Sequence, residues 1–166
     1  MAKKIFFFLT FFFFFDLKYY IIPDKIIYPA ILIVGIWNLV YGIWGQNTPY
    51  AIRYTVYEIR DTIYSALGAA GFFLAIYLIS KGKWMGFGDV KLAFLMGLFL
   101  GFPKILVALF LAFFIGAIIG IGLILAKKKT LKSEVPFGPF LVAGTFLALF
   151  FGEKLISWYL NFFLLK

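Results

Sequence analysis

Long apolar runs, parted by short basic or turn-forming connections, repeat along the whole chain. They cover Ile5 to Phe15, Ile26 to Trp44, Ile63 to Ile79, Val90 to Phe102, Ile105 to Ala126 and Phe140 to Phe151. A helix crossing the hydrocarbon of a bilayer needs about 20 apolar residues. The pattern therefore predicts an all-α polytopic membrane protein with about six transmembrane helices. The first helix extends to about Tyr20. The run from Val90 is short, punctuated by Gly97 and Gly101 and stopped at Pro103, and reads as a tilted or partly sunken span. Leu155 to Leu165 lies at the interface or lengthens the last span. Between the second and third runs, Tyr50 to Asp61 carries Ile52, Val56, Ile59 and Ile63 at near-helical spacing, which predicts an amphipathic interfacial helix. Its tyrosines Tyr50, Tyr54 and Tyr57, with Tyr64 beyond, suit the headgroup level. Gly45 to Pro49 is a turn-forming cluster. Gly68 and Gly71, and Gly116, Gly120 and Gly122, mark faces where another helix could approach closely.

Composition narrows the chemistry. The 166 residues are 64% hydrophobic and only 14% charged, with a mean hydropathy of +1.03, so the whole chain, 1–166, reads as a single transmembrane domain with no soluble domain beside it. Cysteine and histidine are both absent, which excludes disulfides, thiolate catalysis, Cys/His zinc sites and histidine general bases. No metal and no cofactor is expected. Any chemistry falls to Asp, Glu, Lys, Tyr, Ser or Thr. The start, Met1 to Lys4 followed by an apolar core, resembles a signal peptide, but the small-residue cleavage site is missing and the helix is expected to be retained.

The net charge of +9 sits in short lysine clusters between apolar runs, which suits membrane orientation and anionic lipid headgroups better than nucleic acid. With six spans, one side receives Lys18, Lys25, Lys81, Lys83, Lys91, Lys127, Lys128, Lys129 and Lys132. The other receives Lys3, Lys4, Arg53, Arg60, Lys104, Lys154 and Lys166. The positive-inside rule makes the richer side cytoplasmic. Asp16 and Asp89 then lie on that same face, provided that both intervening runs cross.

These two aspartates are the carboxylates set against strongly apolar runs. Charge at membrane depth is costly, so each is by default a functional candidate in need of a partner. Asp89 stands in Gly86-Phe87-Gly88-Asp89-Val90-Lys91-Leu92, and Asp16 opens Asp16-Leu17-Lys18. Two nearby carboxylates share one proton, so that one can act as general base on a water while the protonated partner assists the carbonyl and then the leaving amine. Gly86 and Gly88 would leave room beside Asp89 for an extended substrate backbone. Simpler readings stand beside this one. Asp89 could cap the helix that follows it, Asp16 could pair with Lys18 or Lys25, and Asp24 after Pro23 reads as a turn residue. Glu58 and Asp61 fit a wet helix face with Arg53 and Arg60, and Glu134 and Glu153 fit solvated connections.

Taken together, Asp16-Leu17-Lys18 with Pro23-Asp24, then Gly86 to Leu92, then Pro136-Phe137-Gly138-Pro139-Phe140-Leu141, closely resemble the type IV prepilin peptidase family of GxGD intramembrane aspartyl proteases. The resemblance implies that Asp16 and Asp89 form the catalytic dyad near the cytoplasmic face of the inner membrane. It implies cleavage of the short basic leader of prepilin-like precursors after a glycine, with Gly86, Phe87, Gly88, Lys18, Lys91 and Pro136, Phe137, Gly138 and Pro139 shaping the site. Many bacterial members of that family carry an additional cysteine-containing cytoplasmic domain linked to methylation. This chain has no cysteine and no room for that domain, so it resembles a peptidase-only form for which no methyltransferase activity is expected. A preflagellin-type peptidase is the neighbouring alternative. A small transporter using the aspartates as relays and a non-catalytic assembly subunit are the alternatives of other classes. A transporter should show an inverted repeat, and the only echo is Asp16-Leu17-Lys18 against Asp89-Val90-Lys91.

Overall fold

The computed structural model describes Thr10 and residues 23–44, 49–126 and 136–163. The first predicted helix apart from Thr10, with Asp16 and Lys18, residues 45–48 of the turn cluster and the basic cluster at 127–134 lie outside the described residues. Five helices make up what is described: α1 (Asp24–Trp44), α2 (Pro49–Ser80), α3 (Phe87–Leu100), α4 (Lys104–Leu125) and α5 (Gly138–Phe163). The protein is all-α, and α4, α5 and the Ile59–Ser80 part of α2 are each long and apolar enough to cross a membrane.

The shortest of the five helices is the central one. Helix α3 touches α1, α2, α4 and α5, and Asp89, Val90, Leu92, Ala93, Leu95, Met96, Gly97 and Leu98 are all buried along it. A helix apolar on every side, as this one nearly is, is stable only when enclosed. The outer helices carry their apolar residues outward instead: Ile118, Ile121 and Phe110 on α4 and Leu32 and Ile36 on α1 are exposed, as lipid-facing positions should be.

Two backbone contacts set the packing. At Gly97 a β-carbon would lie 2.3 Å from the Ala66 Cα, so α3 meets α2 with no room for a side chain between them. At Gly144 it would lie 2.3 Å from the Ala108 carbonyl oxygen, which gives α4 and α5 a contact of the same kind. The glycines singled out from spacing behave differently. Gly68, Gly71, Gly120 and Gly122 have nothing within 4 Å of a would-be β-carbon, while Gly116 faces the Phe140 and Phe137 rings at 3.2 and 3.4 Å.

One predicted boundary also shifts. The interfacial helix and the third span are one continuous helix of 32 residues. Arg60-Asp61-Thr62 looks like a break in hydropathy, but no glycine or proline interrupts the hydrogen-bond ladder there, and the Ser65 hydroxyl donates back to the Asp61 carbonyl. The segment after Phe151 continues α5 to Phe163, the second of its two expected readings.

Helix α2 ends in a tight reversal. The Gly82 N–H donates to the Tyr77 carbonyl and the Lys81 N–H to the Leu78 carbonyl, with both residues at positive φ, which is a Schellman-type stop. The chain then enters α3 antiparallel to α2. Asp24 pairs with Lys91, so α1 and α3 start at the same end. Phe137, just before α5, packs on Phe73 of α2. The starts of α1, α3 and α5 and the end of α2 thus gather at one end of the bundle.

Candidate functional site

Among the described residues, Asp89 is the carboxylate that this end of the bundle buries. It is 7% exposed, in the first turn of α3. It does not cap the helix: Gly86 is the N-cap, in extended conformation and with no side-chain cap, and the Asp89 N–H already donates to the Gly86 carbonyl. As the third helical residue, the carboxylate lies in the positive field of a helix N-terminus. Two contacts give its depth. Tyr77 meets Phe87 and Ala66 lies against Gly97, so Asp89 comes level with residues 74–75 of α2. That is five to six residues before Ser80, or about 8 Å inward from the end of α2 at a helical rise of about 1.5 Å per residue.

The surroundings on that level are aromatic. Phe73 is fully buried. Its ring lies 5.9 Å from Phe137 and 5.9 Å from Phe113, and Phe113 and Phe137 are 4.9 Å apart. Gly138 and Pro139 are buried beside them. The predicted Pro136 to Pro139 block therefore reaches the same end and depth of the bundle as Asp89, through Phe73. On the open side, Gly86 is exposed, and a β-carbon there would meet nothing nearer than the Gly88 backbone nitrogen at 3.9 Å. Phe87 is exposed and packs on Tyr77. Among the described residues, nothing therefore crowds Gly86 on this side of the turn.

Lys91 is near Asp89 in sequence but not on its face. Two residues along a helix turn the side chain by about 200°. Lys91 points to α1, where it pairs with the Asp24 carboxylate and sits 4.9 Å from the Tyr28 ring centroid and 5.1 Å from that of Phe87. Asp24 is accordingly a partner of α3 and not only a turn residue. Sequence reading missed that pair because it joins residues 67 positions apart. A local signal did exist, since Tyr28 follows Asp24 by one helical turn and a cation docked on one meets the other.

At the opposite end, the Asn38 side chain donates to the Leu98 carbonyl at 2.9 Å, which satisfies an acceptor in the last turn of α3. Lys104 and Glu153 pair across α4 and α5, and Arg60 and Asp61 form the wet face expected of them. A cleft of about 570 Å³ opens between α2 and α4, lined by Ser65, Gly68, Phe72, Ile105, Leu109 and Phe113 among others. It runs toward Asp61, away from the α3 start, and Asp89 does not line it. Among the described residues no three carboxylates converge as a metal cage would require.

Comparison with known proteins bears on the family of the chain. The sequence profile of the Type IV leader peptidase family matches residues 4–121, a stretch that contains α1 to α3. A "Prepilin leader peptidase/N-methyltransferase" of Aeromonas hydrophila is 38% identical over 90 residues, 54% of this chain and 31% of that protein. One of Aeromonas salmonicida is 30% identical over 154 residues, 88% of this chain and 47% of that protein. One of Bacillus subtilis is 35% identical over 94 residues, 56% of this chain and 38% of that protein. The chain spans less than half the length of these relatives. No solved structure matches.

Proposed function

Because the chain belongs to the type IV leader peptidase family, we propose that it is a membrane-embedded aspartyl endopeptidase. It removes the basic leader of prepilin-like precursors after a glycine, with Asp16 and Asp89 as its catalytic pair. The observation that carries this reading is the burial of Asp89 in the first turn of the central helix, behind an exposed glycine turn. A carboxylate so placed costs several kcal/mol to keep charged, and that cost makes sharing a proton with a second carboxylate favourable.

The roles follow from that sharing. The ionised aspartate takes a proton from water, and the water oxygen attacks the scissile carbonyl. The protonated partner hydrogen-bonds the carbonyl oxygen as charge develops there, then supplies the proton that the departing amine needs. Gly86 and Gly88 admit the substrate backbone in extended form, and the Phe73, Phe113 and Phe137 rings form an apolar cluster at the same end of the bundle. The cleavage end faces the cytoplasm, where the lysine-rich connections lie, in the inner membrane. The activity proposed is leader cleavage, the half of the relatives' double name that the matched family shares. Membrane lipid surrounds the protein, and no nucleic acid is involved.

The test is to incubate the purified protein in detergent with a prepilin carrying an intact leader, and to read the new N-terminus by mass spectrometry. A product that begins immediately after the leader glycine is expected. No cleavage, or cleavage within the hydrophobic helix of the substrate, contradicts the proposal.

A further inference from the structure

The turn that carries Asp89 is weakly built by itself. It begins with two glycines in three residues, Gly86 and Gly88, and its N-cap offers no side chain to the free N–H groups. Glycine is the poorest helix former after proline, and an uncapped first turn frays. Frayed or rotated, it would carry the Asp89 carboxylate out of position. Yet Asp89 is buried and the turn is helical.

Contacts from outside the turn help to hold it, and those of Lys91 are among them. Lys91 lies one step into the same helix, on the face opposite Asp89. Its side chain is 13% exposed, and its ammonium is held between the Asp24 carboxylate and the faces of Tyr28 and Phe87. Two of these partners, Asp24 and Tyr28, belong to the first turns of α1, and the third, Phe87, to the turn itself. A cation held between these groups ties the height and the rotation of α3 to α1, although the Asp24 side chain is 60% exposed. The Lys91 charge is also spent on Asp24 and not on Asp89. We infer that Asp24 and Lys91 form an interhelical clamp that positions Asp89, making both of them positioning residues of the peptidase.

This inference rests on the reading of Asp89 as a catalytic residue, and one set of variants separates the two. Steady-state cleavage of a prepilin is measured for wild type, Asp89→Asn, Lys91→Met, Asp24→Asn, the Asp24→Asn/Lys91→Met double variant, Lys91→Arg and Asp24→Glu, with thermal unfolding in detergent alongside. Lys91→Met and Asp24→Asn are each expected to lower kcat by about ten- to a hundredfold, the scale of a displacement near 1 Å at a reacting group, with KM within about twofold. The double variant should lose no more than the worse single one, because both remove the same interaction. Lys91→Arg and Asp24→Glu, which keep the charge pair, should retain most of kcat. Single variants that keep wild-type kcat, or losses that multiply in the double variant, overturn the clamp while leaving Asp89 in its role. Wild-type cleavage by Asp89→Asn overturns the underlying reading and the clamp with it. Loss of activity equal in Lys91→Arg and Lys91→Met would show that the charge pair is not what positions the site.

Discussion

Replacing Gly97 by alanine puts a methyl group where the backbone of α2 already lies. An ideal β-carbon there is 2.3 Å from the Ala66 Cα, 2.6 Å from the Ala66 nitrogen and 2.7 Å from the Ser65 carbonyl oxygen. Carbon atoms settle at about 3.5 to 4.0 Å, so the helices must separate by more than about 1 Å at the crossing. None of the three atoms is the end of a flexible side chain that could swing aside. Overpacking of this kind typically costs about 1 to 3 kcal/mol, which in a chain of this size lowers the unfolding midpoint by about 3 to 10 °C. Gly97 is also eight residues, or about two turns, from Asp89 on the same helix. Displacing α3 from α2 should therefore lower prepilin cleavage in parallel with stability. The assay is thermal unfolding of purified protein in detergent, compared with Gly68→Ala. Gly68 has open space around it, and alanine there gains up to about 1 kcal/mol of helix propensity. A Gly97→Ala protein as stable and active as wild type, or a Gly68→Ala protein that loses more than Gly97→Ala does, would refute the packing argument.

Three other substitutions probe the rest of the bundle. Gly144→Ala drives its methyl into the Ala108 carbonyl oxygen at 2.3 Å and the Ala112 nitrogen at 2.9 Å, so it should destabilise α4 against α5 by about 1 to 3 kcal/mol, measured by the same melt. Asn38→Ala removes the donor to the Leu98 carbonyl and should cost about 1 kcal/mol, visible as faster amide exchange in the last turn of α3. Glu153→Gln breaks the pair with Lys104, but Glu153 is exposed. Its melting curve should match wild type even at low salt, because exposed ion pairs contribute little.

Hydropathy carried most of the architecture. Each described helix answers to an apolar run, and the one misplaced boundary, at Arg60-Asp61-Thr62, arose because polarity was taken for a break that the backbone ladder does not make. Close helix contacts were harder to read. Spacing pointed to Gly68, Gly71 and the Gly116 series, whereas Gly97 and Gly144 are the positions where another backbone lies opposite. A glycine's role depends on what faces it, and that is a property of the fold and not of the spacing. The burial of Asp89 was legible because an acid in an apolar run is conspicuous, whereas the packing of Phe137 on Phe73 of α2 was not. The pairing of Asp24 with Lys91 was not read, because the Asp24–Tyr28 spacing marks a place for a cation on α1 but nothing within either segment indicates that the starts of α1 and α3 meet.

The most direct test of the account substitutes asparagine for each proposed catalytic aspartate and follows cleavage of a full-length prepilin. Asparagine keeps the shape of the side chain but can neither accept the water's proton nor share one. Asp16→Asn and Asp89→Asn are each predicted to lose at least about a hundredfold in rate, the lower end of what a general acid or base contributes, while both proteins still melt as wild type does. Undiminished cleavage by either variant would contradict the account.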